Sequence, residues 1–259
     1  EAANPPPTKF VDAYDKRVST LATYDWRYFE DLYEIISVEP VRPRDKVMMG
    51  MLATVGIEKG KPFNPSPKMK EIMTRAAVDA YFYMQDRVEQ AQMKNLWWPE
   101  RHWSNFFITD PNGGFSWETD TALFYDNRSD TYHPATYFPK TLPARPATFY
   151  LCAMADSEGR PLVGGKTYKL NVPKNVPVKQ FWALIVYDYA TWAFIYNPLD
   201  RVGFSTYDKP NMKVNDDGSV DIYIGPKAPE GMESNWIPTQ GKRPLPTMRI
   251  YGGDEAFWD

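Results

Sequence analysis

The run Asn215-Asp216-Asp217-Gly218-Ser219-Val220-Asp221-Ile222-Tyr223-Ile224 decides the fold class of the second half of this chain. Asp217-Gly218 tolerates the positive φ of a tight turn, so the stretch predicts a hairpin turn feeding a strand. In that strand Val220, Ile222 and Ile224 fall on one face and Asp221 and Tyr223 on the other, the period of two that a half-buried strand imposes. Further along, Met248 and Ile250 alternate in the same way with Thr247, Arg249 and Tyr251. Working outward, the pattern predicts strands over residues 148–155, 166–172, 180–189, 193–196, 219–224 and 246–251. From Thr148 onward this reads as an antiparallel β-sandwich. Its core holds Val220, Ile222, Ile224, Met248 and Ile250, and Asp221, Tyr223, Arg249 and Tyr251 are expected to share the opposite face.

Upstream the period changes. Trp26, Phe29, Leu32, Tyr33 and Ile36 recur at helical spacing, and Pro40 and Pro43 close that helix. A second short helix is predicted from Arg44 to Val55, with Gly56 as its C-terminal cap. Ser66-Pro67-Lys68-Met69 is the sharpest start signal, with Ser66 as N-cap and Pro67 at the first helical position. Met69, Ile72, Met73, Ala76, Ala80, Met84, Val88 and Ala91 then mark a long amphipathic helix to about Asn95, whose methionine-rich stripe reads as core packing. Residues 100–147 carry short aromatic runs between breakers such as Asp110-Pro111-Asn112-Gly113-Gly114, which predicts an extended, partly irregular crossing segment.

At 259 residues the chain is long enough for one large β domain or two ordinary ones,. Its 24 prolines and 15% aromatics favour short strands and ring-rich packing over a helical bundle,. A net charge of −3 with no Lys/Arg cluster gives no nucleic-acid footprint,. Cys152 is the single cysteine and lies in an apolar run, so it reads as a small core residue. The sequence shows no signal peptide and no apolar stretch of membrane-spanning length. The opening Glu1-Ala2-Ala3-Asn4-Pro5-Pro6-Pro7 reads as linker.

A set of short motifs in fixed order adds a resemblance. Asp156-Ser157-Glu158-Gly159-Arg160-Pro161-Leu162-Val163-Gly164-Gly165-Lys166-Thr167-Tyr168 precedes Phe181-Trp182-Ala183-Leu184-Ile185-Val186-Tyr187-Asp188. Asp216-Asp217-Gly218-Ser219, Gly225-Pro226, Pro229, Asn235-Trp236-Ile237 and Arg249-Ile250-Tyr251-Gly252 follow. Together they resemble the bacterial family carrying domains of unknown function 1254 and 1214. Tyr28-Phe29-Glu30-Asp31-Leu32, Glu39-Pro40 and Val55-Gly56-Ile57-Glu58-Lys59-Gly60-Lys61-Pro62-Phe63 resemble the segment joining the family's two domains. The resemblance implies a helical connecting segment at residues 1–99 and a jelly-roll-like β-sandwich domain at 100–259. It also implies that most of the family's first domain lies outside this chain, and that the protein is periplasmic or secreted.

Tyr187, Asp188, Arg201, Asn235, Trp236, Arg249 and Tyr251 are the candidate binding residues. Arginine and tyrosine beside an aspartate can hold a carboxylate, phosphate or sugar, and Trp236 could stack on a sugar ring. The competing reading makes Asp188 and Arg201 a structural ion pair and Asn235 a loop tie. His102 and His133 are the only histidines, so no metal or other cofactor is called; Asp126, Asp130 and His133 read as a solvated loop. Ser116, Ser129 and Ser205 lack a nucleophile-elbow sequence. Carboxylate pairs such as Asp120 with Asp188, or Asp188 with Asp221, would suit a hydrolase of carbohydrates or polar esters only if the fold brought them together. The expected function is therefore binding of a small polar ligand, with the hydrolase and a structural or assembly role as alternatives. No nucleic-acid partner or membrane span is expected, and homo-oligomerisation stays open.

Overall fold

The structure, a computed structural model, describes residues 7–10, 12, 19, 21–134 and 143–258. The linker-like start up to Pro6 lies outside them. The chain divides into two compact units, Glu1–Val78 and Asp79–Asp259.

In the first unit, helix α1 spans Arg27–Val38 and buries Ile36. Trp26, Phe29, Leu32 and Tyr33 are half-buried beside it while Ile35 stays exposed, so the sequence stripe faces inward as read. The Tyr33 ring stacks on Phe63 and its hydroxyl donates to the Lys61 carbonyl at 2.9 Å. Helix α2 spans Lys46–Thr54 and follows a 3-10 turn at Pro43–Asp45. Gly56 has φ +90°. Its N–H bonds Ala53 O at 3.1 Å and the Ile57 N–H bonds Leu52 O at 3.0 Å, the paired bonds by which a left-handed residue closes a helix.

Helix α3, Pro67–Lys94, starts where the Ser66 hydroxyl accepts the Met69 N–H at 3.2 Å. Its buried line differs from the expected one. Met73, Ala77, Gln85, Val88 and Gln92 are buried, whereas Ile72, Ala76 and Ala80 are exposed. Two glutamines take inward positions because carbonyls wait there: Gln85 Nε2 donates to Tyr189 O at 3.0 Å and Gln92 Nε2 to Phe106 O at 2.9 Å. A buried amide with partners costs little, so hydropathy alone misplaces the stripe.

The second unit is mixed α/β with two sheets. Its strands are β1 Leu96–Trp98, β2 Trp103–Asn105, β3 Thr148–Ala153, β4 Tyr168–Val172, β5 Val178–Asp188, β6 Gly203–Ser205, β7 Val220–Gly225, β8 Trp236–Pro238 and β9 Pro244–Gly253. Short helices α4, Tyr125–Tyr132, and α5, Glu255–Trp258, complete it. One sheet has six strands in the order β1-β2-β3-β9-β5-β6, and the other has three in the order β4-β7-β8. The 100–147 stretch is thus less irregular than expected, since it supplies strand β2, paired between β1 and β3, and helix α4; residues 135–142 of it lie outside the described ones. The 193–196 strand reduces to one bridge, Tyr187 with Phe194. Pairing is antiparallel except between β7 and β8, which run parallel.

Gly218 adopts φ +84° and its N–H bonds Asn215 O at 2.8 Å, so the Asp-Gly turn forms. No hairpin follows, because β7 pairs with β4 and β8 rather than with the residues before the turn. Val220, Ile222 and Ile224 of the small sheet join Phe149, Leu151, Trp182, Leu184, Val186 and Ile250 of the large one in a single buried cluster, with Met248 packed against it. The outward residues of β7 and β9 consequently lie on different sheets, not on one shared face. Asp221 accepts from Asn171 at 2.8 Å, while Arg249 donates to Tyr187.

Against the other face of the large sheet lies the C-terminal half of α3, where Val88 packs with Cys152, Met154 and Leu245. Burial pushes the Cys152 thiol up to about 12, as befits an inert core residue,. Arg243 grips Glu89 at 2.6 Å and 3.1 Å, and the Tyr189 hydroxyl donates to Glu89 at 2.7 Å. Burial raises the Glu89 carboxyl, but these two donors outweigh it and hold it below the usual glutamate range,.

Two outcomes follow. Ile222→Ala should cost about 2–5 kcal/mol in denaturant unfolding, because a buried side chain is cut back inside the shared cluster. Glu89→Gln should cost about 1.5–3 kcal/mol. Because the Glu89 value is depressed on folding, its contribution is complete above the ordinary glutamate range and lost as pH falls through the folded value. Melting curves of wild type and Glu89→Gln should therefore converge on acidification, and parallel curves would remove Glu89 from the account.

Candidate functional site

Register and pleat place the site. In the large sheet Tyr150 of β3 sits opposite Arg249 of β9, which sits opposite Ala183 of β5, and Phe181 sits opposite Tyr251. Neighbours in sequence point to opposite faces of a strand. With Phe149, Trp182, Leu184 and Ile250 in the core, the residues Tyr150, Phe181, Tyr187, Arg249 and Tyr251 stand together on the face turned away from it.

Arg249 is the centre of this group. Its guanidinium donates to the Tyr187 hydroxyl and has Tyr251 as a further side-chain partner. The guanidinium carbon lies 5.0 Å from the Tyr150 ring centroid and 5.9 Å from that of Tyr187, within cation–π range. Among the described residues no carboxylate pairs with it, and its Nε is buried without a hydrogen-bond partner. Burial raises the Tyr187 and Tyr150 phenols above their ordinary values, so both are neutral near pH 7. Burial works against the Arg249 charge, yet the surrounding phenol oxygens offset it and the group stays protonated. The site therefore carries one positive charge that nothing in it neutralises.

Aromatic rings wall the cation. Phe181 stacks on Tyr251 at 4.1 Å, Phe194 on Tyr187 at 5.3 Å and Phe107 on Tyr150 at 5.4 Å between centroids. Phe194 remains 58% exposed. Two residues along β9 the Thr247 hydroxyl is also buried without a partner. Chemically this is a cation held in place by neutral hydroxyls between flat apolar walls, suited to an anionic group on a ring-bearing or polyhydroxyl molecule.

The remaining candidates have structural partners. Asp188 is buried and accepts from Lys242 at 2.8 Å, from the Ala190 N–H at 3.1 Å and from the Thr191 hydroxyl at 3.3 Å, closing the turn after β5. The Asp188–Arg201 ion pair considered from the sequence does not form. Arg201 instead donates to the carbonyls of Glu233 at 2.8 Å and Trp236 at 3.0 Å. Asn235 is fully buried and ties the backbone of Lys213 to that of Asp221. The Trp236 indole donates to Gly225 O at 2.9 Å. Asp188, Arg201 and Arg249 thus do not meet in one cleft. A cavity of about 520 Å³ beside β6 includes Arg201, Ser205 and Asp208, but Asp208 is already taken by the Ser205 hydroxyl and N–H.

Elsewhere, Arg87 binds Asp130 through two bonds of 2.8 Å and lies 3.7 Å from Asp126, so that acidic pair is matched by a guanidinium. Asp221 is engaged by Asn171 and, at 3.5 Å, by Lys169. Two residues escaped the sequence reading. Tyr150 reads as one apolar ring among several, and Lys242 meets Asp188 across 54 positions; strand pairing alone announces either.

Residues 147–255 match the model of a family described as "Protein of unknown function (DUF1214)". No functionally curated protein matches the chain. Among solved structures it is similar to the VPA0106 protein from Vibrio parahaemolyticus, with 17% identity and a TM-score of 0.40 over 99% of this chain and 56% of that one. It is also similar to an uncharacterized protein from Burkholderia cenocepacia, with 12% identity and a TM-score of 0.33 over 89% of this chain and 46% of that one. The chain spans about half the length of these two proteins. The segment that carries β3 to β9, and with them the tyrosines around Arg249, is a DUF1214 domain.

Proposed function

We propose that this domain binds a small anionic organic molecule, a carboxylate, phosphate ester or acidic sugar, on the outer face of the large sheet at Arg249. One observation carries the reading: Arg249 is half-buried, has an unpartnered Nε and lacks a carboxylate among the described residues. A protein that removes a charge from water without pairing it bears a desolvation cost, which a bound anion would offset. Tyr150, Tyr187 and Tyr251 would supply hydroxyls, and Phe181 and Phe194 would bracket the ligand's body. Binding is favoured over hydrolysis because among the described residues no acid–base carboxylate pair stands beside Arg249.

The same proposal includes the finer features of the reading. The chain alternates between sheets, with β3, β5, β6 and β9 in the large one and β4, β7 and β8 in the small. This supports a jelly-roll-like β-sandwich, and the parallel β7–β8 pair is a departure from it. Membership of the two-domain family and a periplasmic or secreted location rest on the motif resemblance.

Titration with glucuronate, glucose 6-phosphate and neutral oligosaccharides tests the site. An anionic ligand should bind saturably, and Arg249→Ala should weaken it by about 1.5–3 kcal/mol, roughly tenfold or more. Arg201→Ala should behave in the opposite way, lowering the melting temperature by loss of two backbone ties while affinity in the folded protein is kept. Equal affinity of wild type and Arg249→Ala for every anion would reject the proposal.

A further inference from the structure

The two sheets differ in width, and the difference leaves space between them. At about 4.8 Å per strand spacing, six strands span about 24 Å and three about 10 Å. The small sheet ends at β4, whose Leu170 and Val172 line the same cavity as Trp98 of β1 and Trp103 of β2, and among the described residues no strand extends that sheet further. This cavity of about 340 Å³ is lined by Trp98, Trp103, Leu151, Leu170, Met248 and Phe257 among others, with Arg101 as its one charged residue. A second cavity of about 450 Å³ shares Arg101, Trp103 and Leu170 with it, making one slot with an apolar end and a polar end.

The polar end is cationic although the chain as a whole is acidic at −3. Arg101, Arg160, Lys166 and Lys169 line it against a single carboxylate, Asp156. Arg160 is held by Asp156 and Glu158, and Lys169 by Asp221. Arg101 and Lys166 remain without a carboxylate among the described residues. The Arg101 guanidinium carbon sits 5.6 Å from the Trp98 ring centroid, at the junction between the two ends.

We infer that this slot binds an amphiphile with one anionic head and an apolar chain. The tail would replace water along Trp98, Leu151, Leu170 and Met248, and the head would meet Arg101 and Lys166. Apolar burial supplies affinity there, and the cations select the sign of the head. This site is separate from the one at Arg249, on the opposite face of the same sheet, and stands or falls independently of it.

Calorimetric titration of the full chain with decanoate, decyl phosphate and decylamine, each below its micelle concentration, tests the inference. Either or both anions should bind saturably at one site, and the amine at least tenfold more weakly. Arg101→Ala should weaken anion binding roughly tenfold, and Ala256→Phe, which fills the slot from an exposed lining position, should abolish it. Unchanged melting of both variants confirms that neither effect is unfolding. Absence of saturable anion binding, or equal binding of amine and anions untouched by either substitution, would overturn it.

Discussion

The pleat of β9 constrains everything around it. This strand pairs with β3 along one edge and with β5 along the other, so from Thr247 to Tyr251 each of its side chains has a fixed neighbour on both sides. Ile250 cannot enter the core unless Arg249 and Tyr251 leave it. A slip of one residue would exchange the two sets, placing an arginine among Trp182, Leu184 and Phe149. Hydrophobic burial thereby fixes the geometry of the polar face without any polar interaction having to specify it. Arg249 meets Tyr150 because the residues next to them, Ile250 and Phe149, are driven into the same core.

Local patterns were readable where one element contains its own cause. Ser66 with Pro67, Gly56 after α2, and the alternations on β7 and β9 all act through neighbours in sequence, and the structure places them as read. What failed to show was pairing. Strands β1, β2, β6 and β8 have three residues each, too few to display a period; β2, β6 and β8 exist because longer strands offer them hydrogen bonds, and β1 because β2 does. Gly203 in β6 illustrates the point: a Cβ there would lie 2.1 Å from the Leu184 carbonyl, a requirement of close strand approach that no sequence window contains.

The candidate residues divided along the same line. Arginine and tyrosine on β9 were legible as outward-facing, and Tyr187 joins them through pairing with Phe194 and contact with Arg249. Arg201 and Asn235 looked equally polar, yet backbone carbonyls and N–H groups claim them, since loops must satisfy their own main chain wherever it is buried. Side-chain chemistry alone does not separate a residue that faces a ligand from one that replaces a missing backbone partner. Gln85 and Gln92 in α3 make the same substitution, which is why a helix with buried amides still packs tightly.

The shape of the large sheet also bears on how the protein survives in a crowded solution. Its long strands, β5 with 11 residues and β9 with 10, are interior, while the two strands at its margins, β1 and β6, have three residues each. An exposed margin is a template on which another chain can add a strand, and short margins offer few consecutive unpaired amides and carbonyls. From Thr247 to Tyr251 β9 is paired on both sides, and the outer edge of β5 is engaged by β6 at residues 183–185 and by the backbones of Val202 and Ala193 further on, so the longest strands offer less open backbone for seeding a fibril than their length alone would suggest.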